Sequence, residues 1–312
     1  MANTGFGKII LFGEHFVVYG IPAIASSIDL KIEAKVIPSK EKGIHADDLI
    51  GGRKVLYKRD KAPITDLMPI FLEQFKLTGK ESFYLTIKST VPRSGGLGSS
   101  AALVVAVSRA FNQYLNLNLT DSQINDIAFE AEKYFHQNPS GVDNTVATYG
   151  GLLFYRRNLE GGKNLMERLA FKKPVEVVLA ESSIKLETKD TAEIIAGVRK
   201  RKEENATEYN KIFAQASQLI EEARKAVVEY NLFRVGELMN QNHTLLQKIE
   251  VSCPELDNMC KLALEAGAIG AKLTGTGRGG NIIALTPGRE LQDETAEALE
   301  NAGFKTIKTK IG

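Results

Sequence analysis

The chain has little cysteine, almost no net charge and no long apolar run, and each shortage excludes something. Its only cysteines, Cys253 and Cys260, have no second pair to complete a zinc set, and their spacing supports neither a disulfide scaffold nor a metal knuckle. Forty Lys and Arg against thirty-eight Asp and Glu leave a net charge of +2, too balanced for a protein that coats nucleic acid. The longest wholly apolar run, Ala101 to Val107, falls far short of the roughly 20 residues that span a bilayer. The opening residues, Met-Ala-Asn-Thr-Gly-Phe-Gly-Lys, lack the apolar stretch of a secretion signal. These absences set the expectation of a soluble, cytoplasmic protein with no nucleic-acid or membrane partner. What is present fits that class. At 312 residues, with 43% apolar and 25% charged residues, the chain is long enough for about two domains and too apolar for wholesale disorder.

Strand patterns fall at Ile9 to Phe12, Leu30 to Ile37, Phe83 to Ile87, Gly150 to Tyr155, Val175 to Ala180, Asn281 to Leu285 and Lys305 to Lys310. Residues 38 to 64 are polar and glycine-bearing and read as a hairpin or variable loop. Helical patterns cover Ile64 to Phe75, Ser99 to Tyr114, a segment to Phe135 opened by the capping box Thr120-Asp121-Ser122-Gln123, one or two helices over 190 to 228, Phe233 to Lys248, Leu256 to Ala266 and Glu290 to Ala302. The helix from Ser99 is apolar all round, which predicts a central position. His136 to Asn144 reads as a loop. The run Arg199-Lys200-Arg201-Lys202 reads as a solvated face. Strands and helices mixed without regular alternation predict an α+β architecture, with a boundary near Gly161-Gly162 dividing residues 1–160 from 161–312.

Two glycine-rich segments compete as carriers of chemistry. Gly275-Thr276-Gly277-Arg278-Gly279-Gly280 has the G-x-G-x-x-G spelling, but a β-branched run follows it where a dinucleotide fingerprint opens a helix. No Gly-Lys-Ser/Thr occurs, and no His-Arg-Asp or Asp-Phe-Gly, so Walker-type and eukaryotic protein-kinase readings fail. Gly95 to Gly98, by contrast, runs straight into a helix at Ser99. Glycines let backbone approach an anion, and unsatisfied N–H groups with the helix dipole favour phosphate there. The bland alternative is a structural turn with Ser99 or Ser100 as helix cap. Lys8, His15, His136 and Asp143, taken singly, each have an ordinary structural explanation as well as a functional one.

Together four segments resemble the GHMP kinase superfamily, and within it the mevalonate kinase branch. They are Gly7-Lys8 through Gly13-Glu14-His15 to Tyr19-Gly20; Pro92-Arg93-Ser94-Gly95-Gly96-Leu97-Gly98-Ser99-Ser100-Ala101-Ala102; His136 with Pro139-Ser140-Gly141-Val142-Asp143-Asn144; and Lys272-Leu273-Thr274-Gly275 with the glycines after it. Their order spans nearly the whole chain. The resemblance implies a two-domain fold with the active site in the cleft between domains, ATP and Mg2+ as cofactors, mevalonate as phosphoryl acceptor, and in some relatives a homodimer. By the same resemblance Asp143 would be the catalytic carboxylate and Lys8 the cation that keeps it ionised and steadies the transferring phosphoryl. Residues 92 to 102 would bind ATP. Ser100 and Glu132 would hold magnesium, with Ser99 the alternative hydroxyl. Glu14, His15, Thr274 and Gly275 would meet the substrate. Other members of the superfamily act on phosphomevalonate, homoserine or sugars, and a non-catalytic ATP sensor is a further reading; retention of Lys8, Glu132 and Asp143 together argues for catalysis. The chain departs from the family pattern at Gly5-Phe6, Gln137, Thr276, Arg278 and Asn281. Of these, Arg278 could pair with a phosphate or a substrate carboxylate.

Overall fold

The computed structural model describes residues 3–47, 52–92, 96–135, 139–186 and 188–312. The first half of the chain forms β1 (Thr4–Phe12), a 3-10 turn (Phe16–Tyr19), β2 (Ala23–Pro38), β3 (Ile44–Asp47), β4 (Lys54–Leu56), α1 (Pro63–Gln74), β5 (Phe83–Ser89), α2 (Ser99–Tyr114), α3 (Asp121–Phe135) and α4 (Val142–Tyr149). The second half forms β6 (Leu152–Arg156), β7 (Leu165–Leu169), β8 (Val175–Glu181), α5 (Thr188–Glu204), α6 (Ala206–Val228), α7 (Leu232–Lys248), α8 (Pro254–Glu265), β9 (Gly270–Thr274), β10 (Asn281–Leu285), α9 (Arg289–Asn301) and β11 (Lys305–Ile311). No helix among the described residues is long and apolar enough to cross a membrane.

The architecture is α+β in two compact units that interleave along the chain. One comprises Met1–Gly7, Leu30–Pro92 and Gly98–Tyr149; the other comprises Lys8–Asp29, Arg93–Leu97 and Gly150–Gly312. A single cut near residue 160 therefore describes the order of the motifs rather than these packing units. Gly161-Gly162 sits between β6 and β7, which pair as an antiparallel hairpin.

In the first unit the later part of β2 pairs antiparallel with β5, β3 runs parallel to β5, and β4 folds back on β3, so the polar stretch 38 to 64 holds a short hairpin. β5 alternates as its sequence predicts, with Phe83, Leu85 and Ile87 buried. Against this framework α2 is buried from Ala101 to Ser108 and again at Ala110 and Phe111. The Phe111 ring meets Phe71, Phe75 and Phe83 at centroid distances of 5.9, 5.2 and 5.3 Å. The first turn of α2 lies directly on β1: a Cβ added to Gly5 would come 1.9 Å from the Ala102 carbonyl oxygen. Only a glycine admits that approach without displacement.

Three helices of this unit are tied together by one side chain. Arg109 on α2 donates through Nη1 to the Thr4 carbonyl (2.5 Å) and through Nη2 to Asp121 Oδ1 (2.5 Å) and the Thr148 carbonyl (2.8 Å). It thus links β1, the start of α3 and the last turn of α4, where a cation also suits the helix dipole. The capping box at the start of α3 forms as read: Thr120 N–H donates to Gln123 Oε1 (2.9 Å) and Gln123 N–H to Thr120 Oγ1 (3.3 Å).

In the second unit the first residues of β2 pair with β6, and a separate antiparallel sheet has the order β11-β8-β10-β9. Helices α7 and α8 pack on β9, and α9 on β8 and β11. The strands β9 and β10 are buried at every residue. Of the predicted solvated run, Arg199 and Lys200 are exposed, whereas Arg201 and Lys202 are half-buried.

Replacing Arg109 with alanine strands three acceptors at a helix junction. The expected loss is about 3 kcal/mol of unfolding free energy, read from urea denaturation. A loss below about 0.5 kcal/mol, the range of ordinary surface substitutions, would contradict the tie.

Candidate active site

The N-terminus of α2 carries no side-chain cap and no acidic residue in its first turn, and Gly98 occupies the cap position at φ 74°. The serine-cap alternative therefore fails, because Gly98 holds the cap position and the helix begins at Ser99 itself. Gly96 also has positive φ, 72°. Leu97 is buried, and its carbonyl accepts from the Lys8 N–H at 2.9 Å. Pro92 and Ser99 are half-buried, Ser100 is exposed, and Ala101 and Ala102 are buried in the helix base. Arg93, Ser94 and Gly95 lie outside the described residues, as do His136 and Gln137.

The Arg109 tie fixes a register for the helices of the first unit. α2 and α3 are joined by a short connection, and Arg109 meets Asp121 across it. Ser99 stands ten residues before Arg109 and Glu132 eleven after Asp121, so both lie about 15–17 Å from that bridge at about 1.5 Å rise per residue. α4 runs against α3 in the opposite sense: Thr148 meets Arg109 beside Asp121, while Asn144 Nδ2 donates to Asn125 Oδ1 at 2.8 Å. Asp143, in the first turn of α4, therefore lies on the Ser99 and Glu132 side of that bridge, beside the middle of α3. Asp143 and Glu132 are both half-buried. The entry to α4 is fixed locally, with Val142 N–H donating to Ser140 Oγ (3.3 Å) and Thr145 Oγ1 to the Gly141 carbonyl (2.5 Å). The expected loop 136 to 144 thus ends three residues early, since Val142 already begins a helix.

The second unit holds Lys8, Glu14, His15, Thr274 and Gly275. Thr274 Oγ1 donates to the Ile10 carbonyl (3.0 Å) and accepts from the Ile10 N–H (3.2 Å). Glu14 is enclosed: its carboxylate pairs with Lys272 Nζ, both side chains being fully shielded from solvent, and Asn242 Nδ2 donates to its other oxygen at 3.4 Å. Burial pushes Glu14 up and Lys272 down from their ordinary values, each opposed by the other's charge. Lys272 belongs to the C-terminal motif, but neither it nor Asn242 stood out from the sequence as functional. The signal was a lysine within the otherwise small and apolar Gly270-Ala271-Lys272-Leu273 run.

His15 has φ 60°, uncommon for any residue but glycine, and its Nε2 lies 2.7 Å from the Thr276 carbonyl. Burial lowers its pKa to about 4. A carbonyl only accepts, so the neutral ring carries its proton on Nε2 and keeps a lone pair on Nδ1. Beyond Thr276, Gly277 has φ 80°, and a Cβ there would come 2.0 Å from the Val251 carbonyl oxygen. Arg278 is exposed, with its Nε donating to the Glu250 carbonyl at 3.1 Å. It lines a groove of about 390 Å³ with Arg201, Asp190 and Glu193, in which two carboxylates offset two guanidinium groups. Cys260 is a buried free thiol whose pKa burial raises, which leaves it a poor nucleophile.

Comparison with known proteins extends these observations over the whole chain. The family model for GHMP kinases N terminal domain matches residues 66–151, and that for GHMP kinases C terminal matches residues 223–305. A mevalonate kinase of Pyrococcus abyssi (strain GE5 / Orsay) is 35% identical over 97% of this chain and 93% of its own length. One from Pyrococcus horikoshii is 36% identical at the same coverages. Among solved structures, L. major mevalonate kinase in complex with R-mevalonate superposes with a TM-score of 0.87 at 33% identity, covering 100% of this chain and 95% of that one.

The depressed His15 pKa has a definite sign. Unfolded histidine titrates near 6.5 and native His15 near 4, so below about pH 6.5 the unfolded state takes up the proton first. The stability at stake is full above that value and is lost as pH falls toward 4, by up to about 3 kcal/mol. His15→Asn, which tolerates positive φ, removes this term. The difference in unfolding free energy between wild type and variant should shrink from pH 7 to pH 4.5 in denaturant titrations; a constant difference would contradict a neutral buried His15.

Proposed function

Because this chain belongs to the GHMP kinase family, we propose that it is a mevalonate kinase, transferring the γ-phosphoryl group of ATP to the 5-hydroxyl of mevalonate to give 5-phosphomevalonate and ADP. What supports the chemistry is the uncapped, acid-free N-terminus of α2, with Asp143 and Glu132 on that side of the Arg109 bridge. The acceptor is carried by near-full-length identity to mevalonate kinases.

The chain's own residues divide the work as follows. Residues 92 to 102 hold the triphosphate of ATP, the amides after Gly98 taking negative charge without reorganising. Asp143 receives the proton as the mevalonate oxygen bonds to the γ-phosphorus and the bond to the β,γ-bridging oxygen breaks, releasing ADP. Lys8 supplies positive charge for the transferring group. His15, Thr274 and Gly275 orient the acceptor, and Gly277 and Gly279 let the loop after them pack against Val251 and Ile184. Glu14, enclosed by Lys272 and Asn242, acts by position rather than by exposure. Among the described residues no three His, Cys, Asp or Glu gather into a metal cage. Magnesium takes most of its ligands from phosphates and water, and Ser100 and Glu132 would supply the hydroxyl and carboxylate it needs from protein. When bound it neutralises charge on the β- and γ-phosphates.

A panel of R-mevalonate, phosphomevalonate, homoserine and galactose with ATP, followed by coupled ADP release, tests the assignment. Mevalonate should exceed every other alcohol by at least about 100-fold in kcat/KM. Preference for another member of the panel would reassign the substrate.

A further inference from the structure

The segment from Ile10 to His15 and the segment from Lys272 to Thr276 are cross-tied by side chains at three places. Thr274 Oγ1 grips both backbone polar groups of Ile10, Lys272 Nζ pairs with Glu14, and His15 Nε2 donates to the Thr276 carbonyl. The middle tie is the unusual one. Lys272 and Glu14 side chains are both fully excluded from solvent, and Lys272 Nζ also donates to its neighbour's carbonyl, Leu273 O, at 2.6 Å, while Asn242 Nδ2 reaches Glu14 Oε2.

A buried ion pair is a poor device for stability, because desolvation of two charges consumes most of what their attraction returns, and well-packed apolar residues often serve as well. What the pair supplies, and apolar packing does not, is direction. Nζ has three donors, two of which are given to named oxygens, and the carboxylate is held from two sides. Immediately after Glu14 the backbone enters the strained φ of 60° at His15, a conformation that persists only where the surroundings over-determine it. His15 and Thr274 flank the pair along the two segments.

We propose that Lys272 is a positioning residue for phosphoryl transfer: through Glu14 it sets the spacing between His15 and Thr274 on the acceptor side of the site. Asn242 shares the task by fixing the second carboxylate oxygen. This role rests on the mevalonate kinase reading and deepens it. Lys272 touches neither substrate nor reacting atoms in this account; its effect passes entirely through Glu14.

The test separates holding the fold together from holding the site in register. Lys272→Met alone leaves Glu14 buried and uncompensated, and its melting temperature should fall sharply. The double variant Lys272→Met with Glu14→Leu removes both charges and should recover most of that loss. Its kcat/KM for R-mevalonate should nevertheless stay about 100-fold below wild type, with the KM for ATP changed less than about threefold. Asn242→Leu keeps the ion pair and gives a second reading should the double variant not fold: the KM for mevalonate should rise about fivefold with the KM for ATP unchanged. A folded double variant with wild-type kcat/KM, or an Asn242→Leu enzyme with unaltered mevalonate KM, would overturn the role. Active wild type with an unaffected double variant sinks the positioning role alone, whereas wild type that releases no ADP from mevalonate sinks the reaction and this role with it.

Discussion

The burial of α2 is the constraint on which the rest depends. A helix enclosed from Ala101 to Phe111 cannot shift or roll without opening the core of its unit, so its polar first turn is fixed in space by apolar packing elsewhere along the same helix. The consequence is electrostatic. On the proposed function, N–H groups that would otherwise reorganise around a phosphate are held in place by the fold. Gly5 and Gly98 serve the same end, one letting β1 touch the helix backbone and the other turning the chain into it.

The two units use buried charge in different ways. In the first, Arg109 sits at the meeting of three chain segments, partly shielded, and its fork satisfies the Thr4 carbonyl of β1 and the Thr148 carbonyl that the end of α4 leaves open. In the second, Lys272 and Glu14 stand wholly inside, where neither is tolerable without the other. The first arrangement sets the level of α4 against α2 and α3. The second ties two motifs that are 258 residues apart in sequence.

Much of this was legible in the residues, and the failures have physical causes. Helices with strong periodicity, α2, α3, α7 and α9, fall where their patterns put them. α4 was read partly as loop because Pro139, Ser140 and Gly141 are turn formers and the helix beyond them is only eight residues long. β9 went unread because Gly270, Ala271 and Lys272 have low strand propensity, and burial on both faces overrides it. β7 carries exposed Leu165 and half-buried Met166 beside two charges, which blurs any alternation. The motif residues themselves were visible one by one, since glycine, lysine and aspartate declare their chemistry. Their supports were not. Arg109 is a lone charge in an apolar helix, and the Lys272 partnership is a fact of tertiary structure that no local pattern encodes.

The central claim is that phosphate binding and proton removal are separate tasks brought to one side of the Arg109 bridge among α2, α3 and α4. Measuring nucleotide affinity and turnover together in Asp143→Asn tests it most directly. The account requires an ATP dissociation constant within about threefold of wild type and a kcat lower by about a thousandfold. An Asp143→Asn enzyme that turns over at the wild-type rate, or one that loses ATP in step with its activity, would contradict it.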